Sequence, residues 1–156
     1  MGALDLAGKI HIKCVHVDGS VETREVDNIV TAAGKGQAAF LLNQATALPF
    51  TAISLGVGTA AAVTTDTALG TELTTGGFAR FAATLSRVTT DDANDTTRLV
   101  GTWTSSSAGA TVAVTECGAH TTLTVAGSIM LGRQVFAAVN MVQNDVLEIT
   151  YDFDVD

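Results

Sequence analysis

The sequence predicts a mainly β protein, a single antiparallel β-sandwich or jelly-roll-like domain with one short helix, and three observations carry that reading. At the end of the chain Leu147, Ile149, Tyr151, Phe153 and Val155 alternate with Glu148, Thr150, Asp152, Asp154 and Asp156. A strict period of two puts one face on a core and the other in water. Near the start, Asp18-Gly19-Ser20 separates two β-type runs, and Asp-Gly tolerates the positive φ that tight hairpin turns require. Throughout, Thr, Val and Ala are abundant, with 15 Gly and one Pro. Thr and Val fit pleated, half-buried surfaces and Gly supplies turns. A length of 156 residues allows one domain with a real core.

Taken in order, residues 1–8 show no periodicity and read as an extended N-terminal arm, and residues 9–156 read as the β-sandwich domain. Residues 9–17 and 21–26 form the first hairpin. Thr31 stands where a helix N-cap is expected, with Ala38, Leu41 and Leu42 near one face at helical spacing. Gly34 and Gly36 weaken that helix by roughly 1 kcal/mol each relative to Ala. Pro49 ends the segment ahead of a short strand at 51–55. Residues 56–77 are a long small-residue loop, and loops of that length in compact domains are functional or held by a partner. A second hairpin is expected from 78–89 and 97–105 around Asp91-Asp-Ala-Asn-Asp95, with further strands at 112–118 and 128–136.

Net charge is −8 with only eight Lys and Arg, scattered singly. Nucleic-acid binding needs clustered cations that displace phosphate counterions, so neither nucleic acid nor an anionic membrane surface is an expected partner. No basic segment followed by an apolar run reads as a secretory signal, and no stretch of about 20 apolar residues reads as a membrane span. The chain is expected to be made in the cytoplasm, where Cys14 and Cys117 read as buried free thiols and not a disulfide.

Chemistry finds little footing, and the reading is of no enzyme, no cofactor, no catalytic residues and no metal site. His11 and His16 sit five apart on one strand and project to opposite faces. No Cys-x-x-Cys or His-x-x-x-His spacing supports zinc. Cys117 and His120 are three apart on an extended strand and point apart. Gly56-Val57-Gly58 lacks the third glycine of a dinucleotide loop, and no phosphate-loop Gly-Lys-Ser/Thr occurs. The Asp91, Asp92, Asn94, Asp95 cluster has oxygen ligands suited to calcium but not the EF-hand spacing, and reads as a solvated hairpin tip. Glu116 and Arg133 are lone charges inside apolar runs, where an unpaired charge is costly. Glu116 is therefore expected to pair with Arg133 or Arg80 across the sheet.

A resemblance enters at Ile53-Ser-Leu-Gly-Val-Gly-Thr59, followed by Thr65-Asp-Thr-Ala-Leu-Gly-Thr-Glu-Leu73 and Arg80. With Asp27-Asn-Ile-Val-Thr-Ala-Ala-Gly-Lys35 upstream and Val114-Thr-Glu-Cys-Gly118 and Met130-Leu-Gly-Arg-Gln-Val-Phe136 downstream, this resembles tailed-bacteriophage capsid decoration (cement) proteins. Similar sequences are also described as tail-fibre-like. The Glu-Cys-Gly segment departs from the Glu-x-Gly-Leu-Phe usual in that pattern. The resemblance implies a sandwich or tulip-like body, a homo-oligomer, often a trimer, seated on the outer capsid surface of the virion, with the major capsid protein as partner. Residues 1–8 and 56–77 are the expected contact segments. Stabilisation of the expanded shell is the expected function; the alternative is a tail-associated protein such as a short fibre, baseplate or adaptor domain.

Overall fold

Turn chemistry sets the first pairing. In the computed structural model, which describes residues 5–155, Gly19 takes φ +86° and Asp18 accepts the N–H of Ser20 at 2.8 Å. Strands β1 (Leu6–Val15) and β2 (Val21–Val30) pair antiparallel about this turn. The strand begins earlier than the sequence suggests. Leu6, Ala7 and Gly8 all pair with the last strand, and Gly8 pairs with β2 as well, so these residues belong to the sheet and are not a free arm. The body thus starts at Leu6 and not at residue 9, while residues 1–4 of the expected arm lie outside the described residues.

After β2, Thr31 caps helix α1 (Ala32–Leu41) by accepting the Gly34 N–H at 2.9 Å. Then come β3 (Ala52–Gly56), β4 (Phe81–Ala82), β5 (Thr84–Val88), β6 (Thr96–Thr104), β7 (Val112–His120), β8 (Met130–Met141) and β9 (Val146–Val155). All pairings are antiparallel, in the order β4-β3-β7-β8-β2-β1-β9-β6-β5. The two ends of that order, β4 and β5, are separated in sequence only by Ala83. The segment 81–88 therefore pairs first with β3 and then with β6, and the sheet nearly closes on itself.

The other corner is β2. Most of its length pairs with β1, but Ile29 and Val30 pair with β8. Strands that switch layers at corners are how a sandwich is folded from one sheet. Where β2 and β8 part, side chains replace the ladder: Arg24 donates to the carbonyls of Ala137 and Ala138, and Gln134 to that of Asp27.

Between the layers lies an apolar core of Ile10, Ile12, Leu147, Ile149, Tyr151 and Phe153 against Ile53, Leu55, Val114, Cys117 and Val139. Tyr151 spans it and donates its hydroxyl to the Cys117 carbonyl at 3.0 Å. Trp103 packs on Phe81 with ring centroids 5.4 Å apart and donates its indole N–H to Ala79 at 2.8 Å, which holds the 81–88 corner in place.

Candidate functional site

The β1–β9 layer shows the alternation of a sheet with one wet face, but β3 and most of β7 are buried at every residue. The reason is a second covering. Cys117 points into the core, so its neighbour Glu116 leaves the opposite face, and the register shift between Val114 and Glu116 turns Thr115 the same way. On that outer face Glu116, Arg133, Ser54 and His120 are all nearly or wholly buried, because the chain from Val57 to Gly77 lies across them.

Glu116 organises that cover. Its carboxylate accepts the N–H groups of Gly58 (2.8 Å), Gly70 (3.0 Å) and Thr71 (2.8 Å) and the Arg133 Nε–H at 2.9 Å, with Arg133 Nη2 2.8 Å away in the same ion pair. Arg133 in turn donates to Asp66 (2.8 Å) and to the Ala60 carbonyl (3.0 Å), and Thr115 donates to the Gly58 carbonyl at 2.8 Å. The expected pairing of Glu116 is thus with Arg133. A Cβ at Gly56 or Gly58 would run into the Glu116 carboxylate, so this Gly-Val-Gly cradles an internal anion and not a nucleotide. Burial alone would raise the Glu116 pKa. The N–H groups of Thr71, Gly70 and Gly58, together with Arg133, outweigh it and hold the carboxyl below the usual range.

Arg80 does the same work one step along. It meets Glu72 with two bonds at 2.6 and 2.9 Å and donates to Thr122 and Thr124 carbonyls and the Ser128 hydroxyl at 3.0–3.1 Å. The loop at 121–129 is thereby tied to the loop at 57–77. What faces outward is short-chained: Thr59, Ala60, Ala61, Thr64, Thr65, Thr67 and Ala68 are exposed, with Val63 and Val125 as larger apolar contacts.

A second surface gathers at α1. Gly34 sits on the Leu131 backbone and Gln37 is buried, while Phe40, Leu41, Leu42 and Leu48 are exposed, Leu42 by 80%. The helix, Leu6 and Val155 flank an apolar cleft of about 330 Å³. Monomeric proteins seldom leave such residues contiguous without a use.

The sequence candidates for chemistry fall out as follows. Cys117 and His120 do not meet: the Cys117 thiol is 3.5 Å from the Tyr151 hydroxyl, whereas His120 Nε2 lies 2.7 Å from Ser54 Oγ. This Ser–His contact, which the sequence did not reveal because Ser54 lies 66 residues away, is closed off from solvent, with both residues buried. Among the described residues His120 Nδ1 has no partner, so nothing orients the ring as a base would need. Burial, with Arg80 nearby, pushes His120 down to about 3. Burial pushes the Cys14 and Cys117 thiols up to about 11 and about 12, far from a reactive thiolate; both are free and buried.

His11 lies on the wet face between Glu25 (3.2 Å) and Asp152 (3.6 Å), apart from His16, which meets Asp145 at 2.9 Å. In the acidic turn, Asp95 accepts the N–H groups of Thr90, Asp91 and Asp92, which holds its carboxyl well below the usual range. Its oxygens serve the turn. No helix among the described residues is long and apolar enough to cross a membrane. Compared with protein-family models, curated proteins and solved structures, the chain finds no match in any of the three.

Proposed function

We propose that this chain is a structural virion protein that decorates the outside of a phage head and stabilises the expanded shell. The observation that carries the reading is the platform at 57–77. It is a long surface loop with small outward side chains, fixed from beneath by the buried Glu116–Arg133 pair and at its end by Arg80. Short side chains let another backbone approach closely, and a loop already ordered loses little entropy on docking. The exposed apolar end of α1 offers a second contact for a neighbouring capsid subunit or another copy.

On this reading the platform's binding free energy goes into neighbours. Such a protein acts by mass action, favouring the lattice state it binds, and many copies on one shell multiply a modest single-site affinity. The motif resemblance at residues 53–80 supports the same role. The test is copy number per virion by quantitative mass spectrometry. Hundreds of copies in fixed ratio to the major capsid protein are expected; a few dozen or fewer would place the protein in the tail and overturn the proposal.

A further inference from the structure

At the end of the sandwich remote in sequence from the platform, two turns converge. His16 opens the β1–β2 turn and Asp145 closes the β8–β9 turn, 129 residues apart. His16 Nδ1 lies 2.9 Å from Asp145 Oδ2 and 4.0 Å from Cys14 Sγ, and one ligand atom from each of the three residues falls within 4.8 Å of the others. We propose that Cys14, His16 and Asp145 form a structural site for a zinc-class divalent cation that clips these turns together.

The donor set fits. Sulfur, imidazole nitrogen and carboxylate oxygen are the ligands zinc takes, and a tetrahedral ion at its usual bond lengths sets ligand atoms roughly 3.3–3.6 Å apart. The separations of 2.9 and 4.0 Å lie on either side of that span, and with all three atoms within 4.8 Å of one another side-chain shifts of roughly 1 Å close the site. The surroundings are built as metal sites are. His16 Nε2 lies 3.4 Å from Glu22 Oε1, a carboxylate on the far ring nitrogen that fixes the tautomer and leaves Nδ1 to the ion. Asp145 is aimed by the Val17 N–H on Oδ1 (2.8 Å) and the Val142 N–H on Oδ2 (2.9 Å). Cys14 and Asp145 are wholly buried and His16 is part-exposed. On binding, the metal–sulfur bond replaces the S–H bond and that proton leaves to solvent; the Nδ1 proton shared with Asp145 Oδ2 leaves to solvent likewise, and the ring stays neutral with its remaining proton on Nε2 toward Glu22. The Cys14-x-His16 spacing is visible in the sequence. The third ligand was not.

The experiment is titration of the metal-stripped chain with Co²⁺, followed by its thiolate-to-cobalt charge-transfer band and visible ligand-field bands. Wild type and Cys117→Ala should show both; Cys14→Ala should lose the charge-transfer band. Glu22→Gln, which leaves all three ligands in place, should weaken binding by about 10–100-fold. Zn²⁺ should raise the melting temperature of wild type and not of His16→Gln. A wild type without the thiolate band, or a band that survives in Cys14→Ala, overturns the site. If Cys14→Ala fails to fold, an unchanged affinity in Glu22→Gln and His16→Gln does so. The capsid role stands or falls separately, on copy number.

Discussion

Glu116 is wholly buried, yet four hydrogen bonds, three from backbone amides and one from the Arg133 guanidinium, surround it, and the ion pair with Arg133 closes at 2.8 Å. Removing one member of such a set strands the others, at about 3–5 kcal/mol. Glu116→Ala should therefore lower the unfolding free energy from urea titration by that amount, and Arg133→Met should do likewise; midpoints within error of wild type would show the pair to be dispensable. His120 gives a pH signature of its own. Its pKa falls from 6.5 to about 3 on folding, so below pH 6.5 the unfolded chain takes up a proton that the native state refuses. Stability then falls as pH drops through that window, by about 2 kcal/mol between pH 7 and pH 5. Glu116 acts lower. Its depressed pKa gives stability that is present above the ordinary carboxylate range and lost as pH falls below it. His120→Gln should flatten the stability profile between pH 7 and 5 and leave the steeper acid limb intact. Equal slopes in the two proteins would mean that His120 is solvated in the native state. The lone charges Glu116 and Arg133 announced themselves inside apolar runs; Ser54–His120 and Asp145 did not, because their partners lie on distant strands.

Among the elements, legibility follows solvent. β9 and the β1–β2 hairpin have one wet face, so Leu147–Val155 alternates and the turn residues mark the ends. β3 and β7 carry core on one side and the polar layer on the other, so Ala52–Gly56 and the second half of β7 show no period to read. The early start of β1 was hidden because Ala7 and Gly8 are small and carry no hydrophobic signal, though Leu6 packs against the core. Length and small residues marked 56–77 as irregular, but order there comes from Glu116, some 40–60 residues downstream. Arg80 ties that loop to 121–129, so Arg80→Ala should speed amide exchange in both loops by at least about tenfold while β1 and β9 keep their protection. Uniform acceleration across the sheet would show that the loops unfold only with the whole domain. An exchange profile identical to wild type would show that Arg80 is not what orders them.

As a whole the molecule is a nearly closed sheet with two corner strands, and a rigid loop platform covers the outer face of one layer. Its free energy of assembly, on this account, comes from that platform meeting a shell present only after expansion. Ala61 is exposed at the platform. The deciding measurement is binding of purified chain to expanded and unexpanded heads, with Ala61→Glu alongside. Wild type should saturate expanded heads, ignore unexpanded ones, and raise the temperature at which the heads release DNA. Ala61→Glu, with an unchanged melting temperature, should bind at least about tenfold more weakly, a loss of about 1.4 kcal/mol. Equal binding to both head forms, or undiminished binding by Ala61→Glu, would contradict the account.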